Sequence, residues 1–492
     1  MILHIFQERP GGPPDFMRIR HRETTLTKKR FFPLNTPAPE IAFSEKSCIV
    51  QDSDHIRRRC GLIKLDINGK SMKKVSFLIV GGGGRGTVYA RHILEMNEQA
   101  EVAAIADPRD FFRNRIGDMY RIPENRRFHD WRDALRGEKV ADAVIIATQD
   151  RLHVEPAVAF ADAGYHILIE KPLAPDEEGC RRIVEAADRN GILFSVCHVL
   201  RYSNFTRTLK KLIDRGAVGR VMSIQHLEPV GHWRYAHSYV RGNWRREDES
   251  SSILLAKSIH DLDWLCYIAG SDCIRVSSFG SRMFFRKENQ PREAADRCLE
   301  CPIEPTCSYS APRFYLKRIR ENIRGAYVES VTPVLTEESM LEALRTGPYG
   351  RCVFACDNNV ADHQVVNLEF RNGVTAVFTL AGCARFGPRR TTVFGSEGEL
   401  FGDETTLSYY SYLTGETRGI PIPPHIATDA HGGGDYNLLE SFVKAVSTGD
   451  PTYIVTGAHV SLQSHRLVFD AEISRKEHRI VELDPAGPGP VQ

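Results

Sequence analysis

Three glycines at the spacing G-x-G-x-x-G stand directly after a short apolar segment and suit the pyrophosphate of a dinucleotide. Gly81, Gly83 and Gly86 follow the β-rich run 75–80 and precede a segment with helical periodicity. The first glycine permits a sharp turn, the second lets backbone N–H groups approach the anion, and the third lets the helix pack closely on the strand. The anion then lies at the positive end of the helix dipole. The motif predicts dinucleotide binding, with Arg85 in the same loop as a further contact.

An acidic residue stands where such a unit binds the adenosine ribose. The second β-rich run, 101–106, ends in Asp107, which lies 21 positions after Gly86. A carboxylate there accepts hydrogen bonds from the ribose hydroxyls and repels a 2′-phosphate. We therefore expect NAD rather than NADP, although Arg109 next to it has the chemistry to accommodate that phosphate.

Further polar residues follow the later strands of the same region. The runs 143–147, 166–169 and 192–196 alternate with helical patterns, which indicates a doubly wound parallel sheet. In such a sheet the carboxyl ends of all strands open on one edge, and ligands bind there. We expect this edge to collect Asp107, Thr148, Glu170, Lys171 and His198 around one crevice, with Thr148 and Glu170 among the cofactor contacts.

Three residues near this edge have two interpretations each. His153 begins the helix beside the predicted nicotinamide position, where it either contacts the cofactor or belongs to a helix start capped by Asp150. Arg201 and Tyr202 follow the last strand of the sheet and contact either a ligand or the domain junction.

The segment 233–244 is dense in aromatic residues, histidine and arginine, and we interpret it as a substrate loop.

A second group of chemically capable residues lies within the segment 253–263. Lys257, His260 and Asp261 share one face at helical spacing and adjoin apolar neighbours. Three polar groups on one stripe beside a core indicate a site rather than a solvated surface. His260 and Lys257 are the predicted substrate-contacting or proton-transferring residues, and a buried structural histidine is the alternative.

Five of the twelve cysteines fall between residues 298 and 356. Cys298, Cys301 and Cys307 lie close together, and a later pair, Cys352 and Cys356, could supply a fourth thiolate. Four thiolates at tetrahedral positions favour structural zinc, an iron–sulfur cluster also uses four thiolates, and chance clustering is the remaining alternative. We expect zinc held by Cys298, Cys301, Cys307 and Cys352, with the choice between the last pair open.

Composition limits the classes of function. The 492 residues carry a net charge of +2 and an ordinary 26% of charged residues, which argues against nucleic-acid and membrane-surface binding. No apolar run approaches the roughly 18 residues of a membrane span. The cysteines are too few and too uneven for a disulfide scaffold, so we expect a reducing, cytoplasmic location.

The chain divides into four stretches by pattern. We expect residues 1–71 to form a disordered extension and 72–198 a dinucleotide-binding domain. Residues 199–480 carry longer amphipathic strands and the hairpin turn Asn372–Gly373, which predict an α+β domain with a large open, mostly antiparallel sheet. We expect this domain to bind substrate and form homo-oligomers, to contain a cysteine-bearing insertion near 285–360, and to end in a flexible tail over 481–492.

Several of these motifs together resemble the glucose–fructose oxidoreductase, inositol dehydrogenase and MocA (Gfo/Idh/MocA) family. The resemblance rests on the glycine turn 81–86, Ala106-Asp107-Pro108, Glu170-Lys171-Pro172, the helix 255–263 and the segment 432–436. It extends over roughly residues 72–475. It implies a Rossmann domain, an α/β substrate domain with an open sheet, and hydride exchange at sugar or cyclitol carbons.

The resemblance also assigns roles to residues of the site. It implies that Lys171 lies beside the nicotinamide and the substrate hydroxyl, where a partly desolvated ammonium has a lowered pKa and can relay a proton. The family usually has an aspartate four residues before the histidine of the second catalytic helix. Ala256 occupies that position here, so the acid or base that partners His260 is altered.

These observations favour an NAD(P)-dependent oxidoreductase that acts on the CH–OH groups of a sugar, cyclitol or polyol, with Lys171 or His260 as the base. One alternative is a redox-neutral glycosidase or lyase that uses transient oxidation by bound NAD. A second alternative is a regulatory protein that binds a dinucleotide without catalysis, which the joint presence of Lys171, Lys257 and His260 argues against.

Overall fold

The computed structural model describes residues 73–425 and 431–483. The proposed extension 1–71 and most of the proposed tail after residue 483 lie outside the described residues. Within the described ranges, no helix is both long enough and apolar enough to cross a membrane.

The first sheet has six parallel strands in the order β3-β2-β1-β4-β5-β6. Its short, apolar strands are buried on both faces, as expected for a parallel sheet covered by helices. The strands are β1 Val75–Val80, β2 Ala100–Ala106, β3 Arg127–Phe128, β4 Ala143–Ile146, β5 His166–Ile169 and β6 Phe194–Val196, and the helices between them are α1 Gly84–Glu95, α2 Asp110–Met119, α3 Val154–Asp162 and α4 Glu177–Asn190.

The second sheet has nine strands in the order β14-β13-β12-β11-β7-β10-β9-β8-β15, and every adjacent pair except β7 with β10 is antiparallel. The strands are β7 Val221–Pro229, β8 Cys273–Ser281, β9 His363–Phe370, β10 Thr375–Ala381, β11 Arg390–Gly395, β12 Gly398–Gly402, β13 Leu407–Ser411, β14 Thr417–Ile420 and β15 Val481–Glu482. The predicted turn at Gly373 joins β9 to β10, with φ of 85° at that glycine.

The remaining helices cover one face of the second sheet, form the segment between β8 and β9 or, in the case of α12, pack against the first sheet. They are α5 Asn204–Asp214, α6 His232–Tyr235, α7 Ile253–Ala256, α8 Ile259–Ala269, α9 Ala311–Arg320, α10 Ala326–Glu329, α11 Glu337–Thr346, α12 Gly434–Thr448 and α13 Ala458–Glu477. The segment between β8 and β9 has a small core of its own around Tyr315, Met340 and Leu344. The late helix α12 returns to the first sheet, where Leu438 and Phe442 pack in the core behind β1.

Candidate active site

The glycine turn has the shape that a dinucleotide requires. Gly81 has φ of 96°, and a methyl group on Gly86 would lie only 2.0 Å from the carbonyl oxygen of Gly81. Both positions therefore exclude a side chain for reasons of backbone packing. A methyl group on Gly83, at the start of α1, would have open space around it and would meet Arg109 Nη2 at 3.6 Å. A backbone open at this point, beside a helix N-terminus, fits a pyrophosphate.

Asp107 ends β2 inside the same crevice. Its buried carboxylate accepts a hydrogen bond of 2.8 Å from the backbone N–H of Gly82, which ties the glycine turn to the second strand. The exposed guanidinium of Arg109 also reaches Asp107, with Nη2 at 2.9 Å from Oδ2, and stacks over Phe112. The ribose-binding acid predicted from sequence is therefore at the expected edge, already joined to an arginine.

A buried ionic network holds the turn after β5. Arg85 Nε donates to Glu170 Oε1 at 2.5 Å, and its Nη2 donates to Tyr89 and to Asp435. Although burial opposes ionisation, Arg85 and Lys171 keep the pKa of Glu170 below its usual range. Arg85 and Glu170 were predicted as cofactor contacts, and in the structure their side chains bind one another at the edge of the crevice.

Lys171 follows Glu170 and links the end of β5 to α7. Its Nζ donates a 2.6 Å hydrogen bond to the carbonyl oxygen of Ala256, at the end of α7. Burial lowers the pKa of Lys171 from its usual value. The Lys171–Pro172 peptide is cis.

His153 and Thr148 lie against the turn that follows β5. The fully buried His153 donates from Nδ1 to the carbonyl oxygen of Pro172 at 2.8 Å, and its Nε2 lies 3.3 Å from the carbonyl oxygen of Thr148. The hydroxyl of Thr148 donates to Leu152 O at 3.2 Å. His153 therefore supports the turn that carries Lys171, and its role as a direct cofactor contact stays a prediction.

Lys257 and His260 lie where α7 gives way to α8, beside Lys171. Lys257 Nζ forms a buried ion pair with Glu228 Oε1 at 3.0 Å, and burial lowers its pKa to about 8 although Glu228 opposes the shift. Burial, with the charge of Lys171, holds the pKa of His260 well below its usual range, so this imidazole is neutral at pH 7. The Nδ1 of His260 is buried and has no hydrogen-bond partner among the described residues.

Asp261 belongs to a different surface from the one predicted. It is fully buried against the second sheet, where it accepts from His226 at 3.1 Å and from Arg389 Nε at 2.5 Å. Arg389 also pairs with Glu228, so an ionic chain runs from Asp261 to Lys257. Glu228 and Arg389 were not identified from the sequence, since they come from β7 and the loop before β11 and carry no local motif.

Comparison with known proteins decides the family. The family model described as an oxidoreductase family with NAD-binding Rossmann fold matches residues 75–198, and the model of the C-terminal alpha/beta domain of the same family matches residues 210–483. The chain belongs to the Gfo/Idh/MocA oxidoreductase family. The expected fold class and the expected oxidoreductase family are confirmed.

Relatives within the Gfo/Idh/MocA family differ in reaction. The chain is 26% identical over 415 residues to a myo-inositol 2-dehydrogenase of Thermotoga maritima, which covers 82% of this chain and 98% of that enzyme. It is 28% identical over 225 residues to a 2,7-anhydro-N-acetylneuraminate hydratase of Mediterraneibacter gnavus, which covers 44% of this chain and 55% of that enzyme. The chain spans about half the length of several curated relatives that it matches.

A solved structure shares the fold. A levoglucosan dehydrogenase in complex with NADH and levoglucosan aligns with a TM-score of 0.61 and 18% identity, covering 83% of this chain and 99% of that one. At this identity the likeness concerns the fold.

Two sets of buried contacts fix the residues after β6. Arg201 forms a buried bidentate pair with Asp263, with both N···O distances at 2.7 Å, and the hydroxyl of Tyr202 bonds Thr456 and the N–H of Val455. Of the two interpretations of Arg201 and Tyr202, the structure therefore favours the domain junction.

The predicted substrate loop 233–244 is mostly structural. Tyr235 donates to Ala361 O, His237 lies 2.6 Å from the Tyr315 hydroxyl, and the buried Arg241 donates to the carbonyl oxygens of Arg351 and Tyr309. Trp233 and Arg234 at the start of this loop and Trp244 at its end are partly exposed, and Asn243 is exposed.

The expected zinc ion is not supported. Cys298, Cys301, Cys307 and Cys352 do line one cavity of about 240 Å³. Within the described ranges, however, no group of three or more His, Cys, Asp and Glu side chains is arranged to hold a metal ion. The thiols have other neighbours: the cationic Arg241 donates to Cys298 Sγ at 3.4 Å, and the Tyr309 N–H donates to Cys307 Sγ at 3.4 Å. A guanidinium beside a sulfur is unfavourable for a metal cation at the same atom.

Proposed function

We propose that this protein is an NAD-dependent dehydrogenase of a sugar, cyclitol or related polyol. The observation that carries the proposal is the 2.6 Å hydrogen bond from Lys171 Nζ to Ala256 O, because it holds the lysine after β5 beside the segment that carries Lys257 and His260. The confirmed NAD-binding fold and the inositol and levoglucosan dehydrogenases among its relatives and structural neighbours support the substrate class.

The crevice has the features that NAD needs. The open backbone at Gly83 and the N-terminus of α1 would hold the pyrophosphate, and Asp107 would bind the ribose hydroxyls. We prefer NAD to NADP because the carboxylate of Asp107 repels a 2′-phosphate. In the described part of the chain, Arg109 is the only cation that forms an ion pair with this carboxylate. When bound, NAD⁺ supplies the hydride acceptor.

The protein side chains move the proton. Oxidation of an alcohol releases one proton from the hydroxyl, and Lys171 in its neutral form accepts it, since burial lowers the pKa of this lysine and its Nζ donates to a neutral carbonyl. Neutral His260 accepts a hydrogen bond from a substrate hydroxyl and thereby orients it. Lys257 pairs with Glu228 and, in its charged form, donates a hydrogen bond to a substrate oxygen.

The test is formation of NADH from NAD⁺ with a panel of hexoses, inositols and alditols. The proposal expects NADH with at least one of these compounds and its loss in Lys171→Met. A protein that binds NAD⁺ but oxidises no member of the panel would contradict the substrate class.

A second candidate is a redox-neutral hydratase or lyase. Its support is the similarity to the 2,7-anhydro-N-acetylneuraminate hydratase. This reaction would consume substrate without accumulating NADH, and the protein would retain NAD(H) through purification. Mass spectrometry of the small molecules released on denaturation separates the two candidates.

The proposal includes association of the chain with a second copy and a cytoplasmic location. The face of the second sheet away from the helices leaves Phe279 exposed, at 63%, which suits contact with a second copy of the chain. The ten cysteines in the described part of the chain are free thiols, in keeping with a reducing cytoplasm. Light scattering of the purified protein tests the assembly, and a monomer at micromolar concentration would contradict it.

A further inference from the structure

A second cavity, of about 260 Å³, lies between the segments 232–241 and 307–318. It shares Arg241, Cys307 and Tyr309 with the cavity of about 240 Å³ that the cysteines line, but it extends along α9 instead. None of the residues assigned above to the cofactor or to proton transfer lines this second cavity. It is therefore a candidate binding site of its own.

Basic side chains dominate the wall of the second cavity. Arg241, Arg313 and Arg318 line it together with Lys317, and no lining residue in the described part of the chain carries a carboxylate. Among residues 73–425 and 431–483, none of the three arginines forms an ion pair. Several positive charges around one cavity without a counter-charge favour a bound anion.

The acidic residues of the same loop and helix do not cancel this charge. Glu304 accepts from the hydroxyl of Ser310 and lines the cysteine-lined cavity instead. Glu321 follows the end of α9, and its carboxylate lies 3.8 Å from the ammonium of Lys317. The charge of Lys317 is thus partly compensated, whereas the three guanidinium charges are not.

Each of the three guanidinium groups has nitrogen atoms that bond no residue in the described ranges. The side chain of Arg241 donates from Nε and Nη2, that of Arg313 only from Nη2, and that of Arg318 only from Nη1. Their acceptors are backbone carbonyls and one thiol. Because a guanidinium carries five N–H donors in a planar fork, each arginine keeps donors that an oxyanion could use.

The positions of these donors are fixed by neutral contacts. Arg318 lies over the ring of Phe314, 3.5 Å from its centroid, and this ring stacks on Trp233 at 4.9 Å. In the described part of the chain, the imidazole of His232 and the hydroxyl of Ser308 also line the cavity without a hydrogen bond to another residue. A ligand would therefore meet charged and neutral donors that are already in place.

We propose that this cavity binds the phosphate group of a small molecule. A phosphate monoester carries about 1.5 to 2 negative charges at pH 7 and three acceptor oxygens, so it can bind more than one guanidinium at once. A carboxylate carries a single charge, and a neutral sugar offers none. The site is separate from the proposed hydride transfer and does not depend on it.

The experiment is isothermal titration calorimetry of the full-length protein with glucose 6-phosphate, inorganic phosphate and glucose. The buffer contains no phosphate, and chloride keeps the ionic strength constant. Wild type is compared with Arg313→Gln and Arg318→Gln. Arg313 is exposed and stacks on no ring, so its substitution tests the site without disturbing the packing around Arg318. The matched control is Arg320→Gln, because Arg320 belongs to the same helix but pairs with Glu337 outside the cavity.

The wild type should bind at least one of the two phosphates and should not bind glucose. Arg313→Gln and Arg318→Gln should each raise Kd about tenfold or more, because each removes a charge-assisted hydrogen bond. Arg320→Gln should change Kd less than about twofold. Absence of binding by both phosphates, or equal Kd values in wild type, Arg313→Gln and Arg318→Gln, would overturn the proposal.

The same titrations distinguish the sources of the phosphate group. Binding of inorganic phosphate shows that the free ion is sufficient, and binding of glucose 6-phosphate alone shows that a sugar phosphate is required. Either result supports the site. The titrations need no turnover, so a failure of the dehydrogenase function leaves their outcome unchanged.

An assay of NADH formation then shows whether the phosphate belongs to the substrate. A higher kcat/KM for glucose 6-phosphate than for glucose, with the difference lost in Arg313→Gln, would assign the phosphate to the substrate. Binding of glucose 6-phosphate without its preferential oxidation would assign the cavity to a ligand other than the substrate. Both results agree with a phosphate site, and only the titrations decide whether it exists.

Discussion

At the scale of residues, the proposed chemistry depends on Lys171. We expect Lys171→Met to lower kcat about 10²- to 10⁴-fold, the usual contribution of a positioned acid or base. Binding of NAD⁺ should persist, because the glycine turn and Asp107 are untouched. Stopped-flow and equilibrium fluorescence measure the two effects.

Lys139 offers a matched control for that substitution. Lys139 also donates to a backbone carbonyl, Gly164 O at 2.7 Å, and burial lowers its pKa. It lies just before β4, where the amino ends of the parallel strands meet, away from the carboxyl ends that carry Lys171. Lys139→Met should leave kcat unchanged. A comparable loss of kcat in both variants would show that Lys171 acts through the fold rather than on substrate.

The pH dependence of oxidation should report the lysine base. Lysine accepts a proton only when neutral, so the rate should rise with pH through the lowered pKa of Lys171, at a pH below the usual 10.5. The positive charge of Arg234 contributes to this lowering. Arg234→Gln should therefore raise the pKa and move the rising limb to higher pH.

The profile is measured as kcat against pH for wild type and Arg234→Gln. The reverse reaction, in which protonated Lys171 donates, should lose rate over the same pH range. A limb that stays in place, or moves to lower pH, would contradict the assignment of Lys171.

At the scale of elements, two substitutions in the turn between β1 and α1 distinguish an effect on stability from an effect on NAD⁺ affinity. Gly86→Ala places a methyl group 2.0 Å from Gly81 O, so the turn must shift, and we expect a loss of about 1–3 kcal/mol of stability. Gly83→Ala meets nothing nearer than 3.6 Å, so Tm should change little while affinity for NAD⁺ falls. Calorimetry and NAD⁺ titration test the pair, and an unchanged affinity in Gly83→Ala would contradict the cofactor position.

The elements also show what sequence can predict. Two local patterns could be read from the sequence: the succession of apolar run, glycines and helix around Gly83, and the polar residue at the end of each strand. These patterns predicted that Asp107 and Lys171 lie at one edge of the sheet. The helical face of Lys257, His260 and Asp261 was only partly right. α7 ends at Ala256 and α8 begins at Ile259, so one continuous period does not apply, and Asp261 turns to the second sheet.

Partners from distant strands could not be predicted. Glu228 and Arg389 meet because β7 pairs with β11, and neither residue belongs to a local motif. The cysteine spacing was misleading for a related reason. Four thiols do line one cavity, but the directions of the thiols depend on Arg241 and on the backbone of Tyr309. These directions cannot be read from the spacing.

At the scale of the molecule, the Arg201–Asp263 pair fastens the segment after β6 to α8. Asp263→Asn leaves a buried guanidinium without its counter-charge and should cost about 3–5 kcal/mol. The control is Glu337→Gln, which breaks an exposed bidentate pair with Arg320 and should change the urea midpoint little. Equal midpoints in the two variants would contradict a stabilising junction.

The central claim concerns the whole protein: it oxidises a sugar-like alcohol with NAD⁺, using Lys171. The most direct measurement is mass spectrometry of both products after incubation with NAD⁺ and the combined panel of hexoses, hexuronates, inositols and alditols. We expect equal amounts of NADH and of a sugar product that has lost two hydrogens, and we expect Lys171→Met to lower the rate at which both form by at least about a hundredfold. Consumption of a sugar with neither NADH nor an oxidised product would contradict it and favour the redox-neutral reaction.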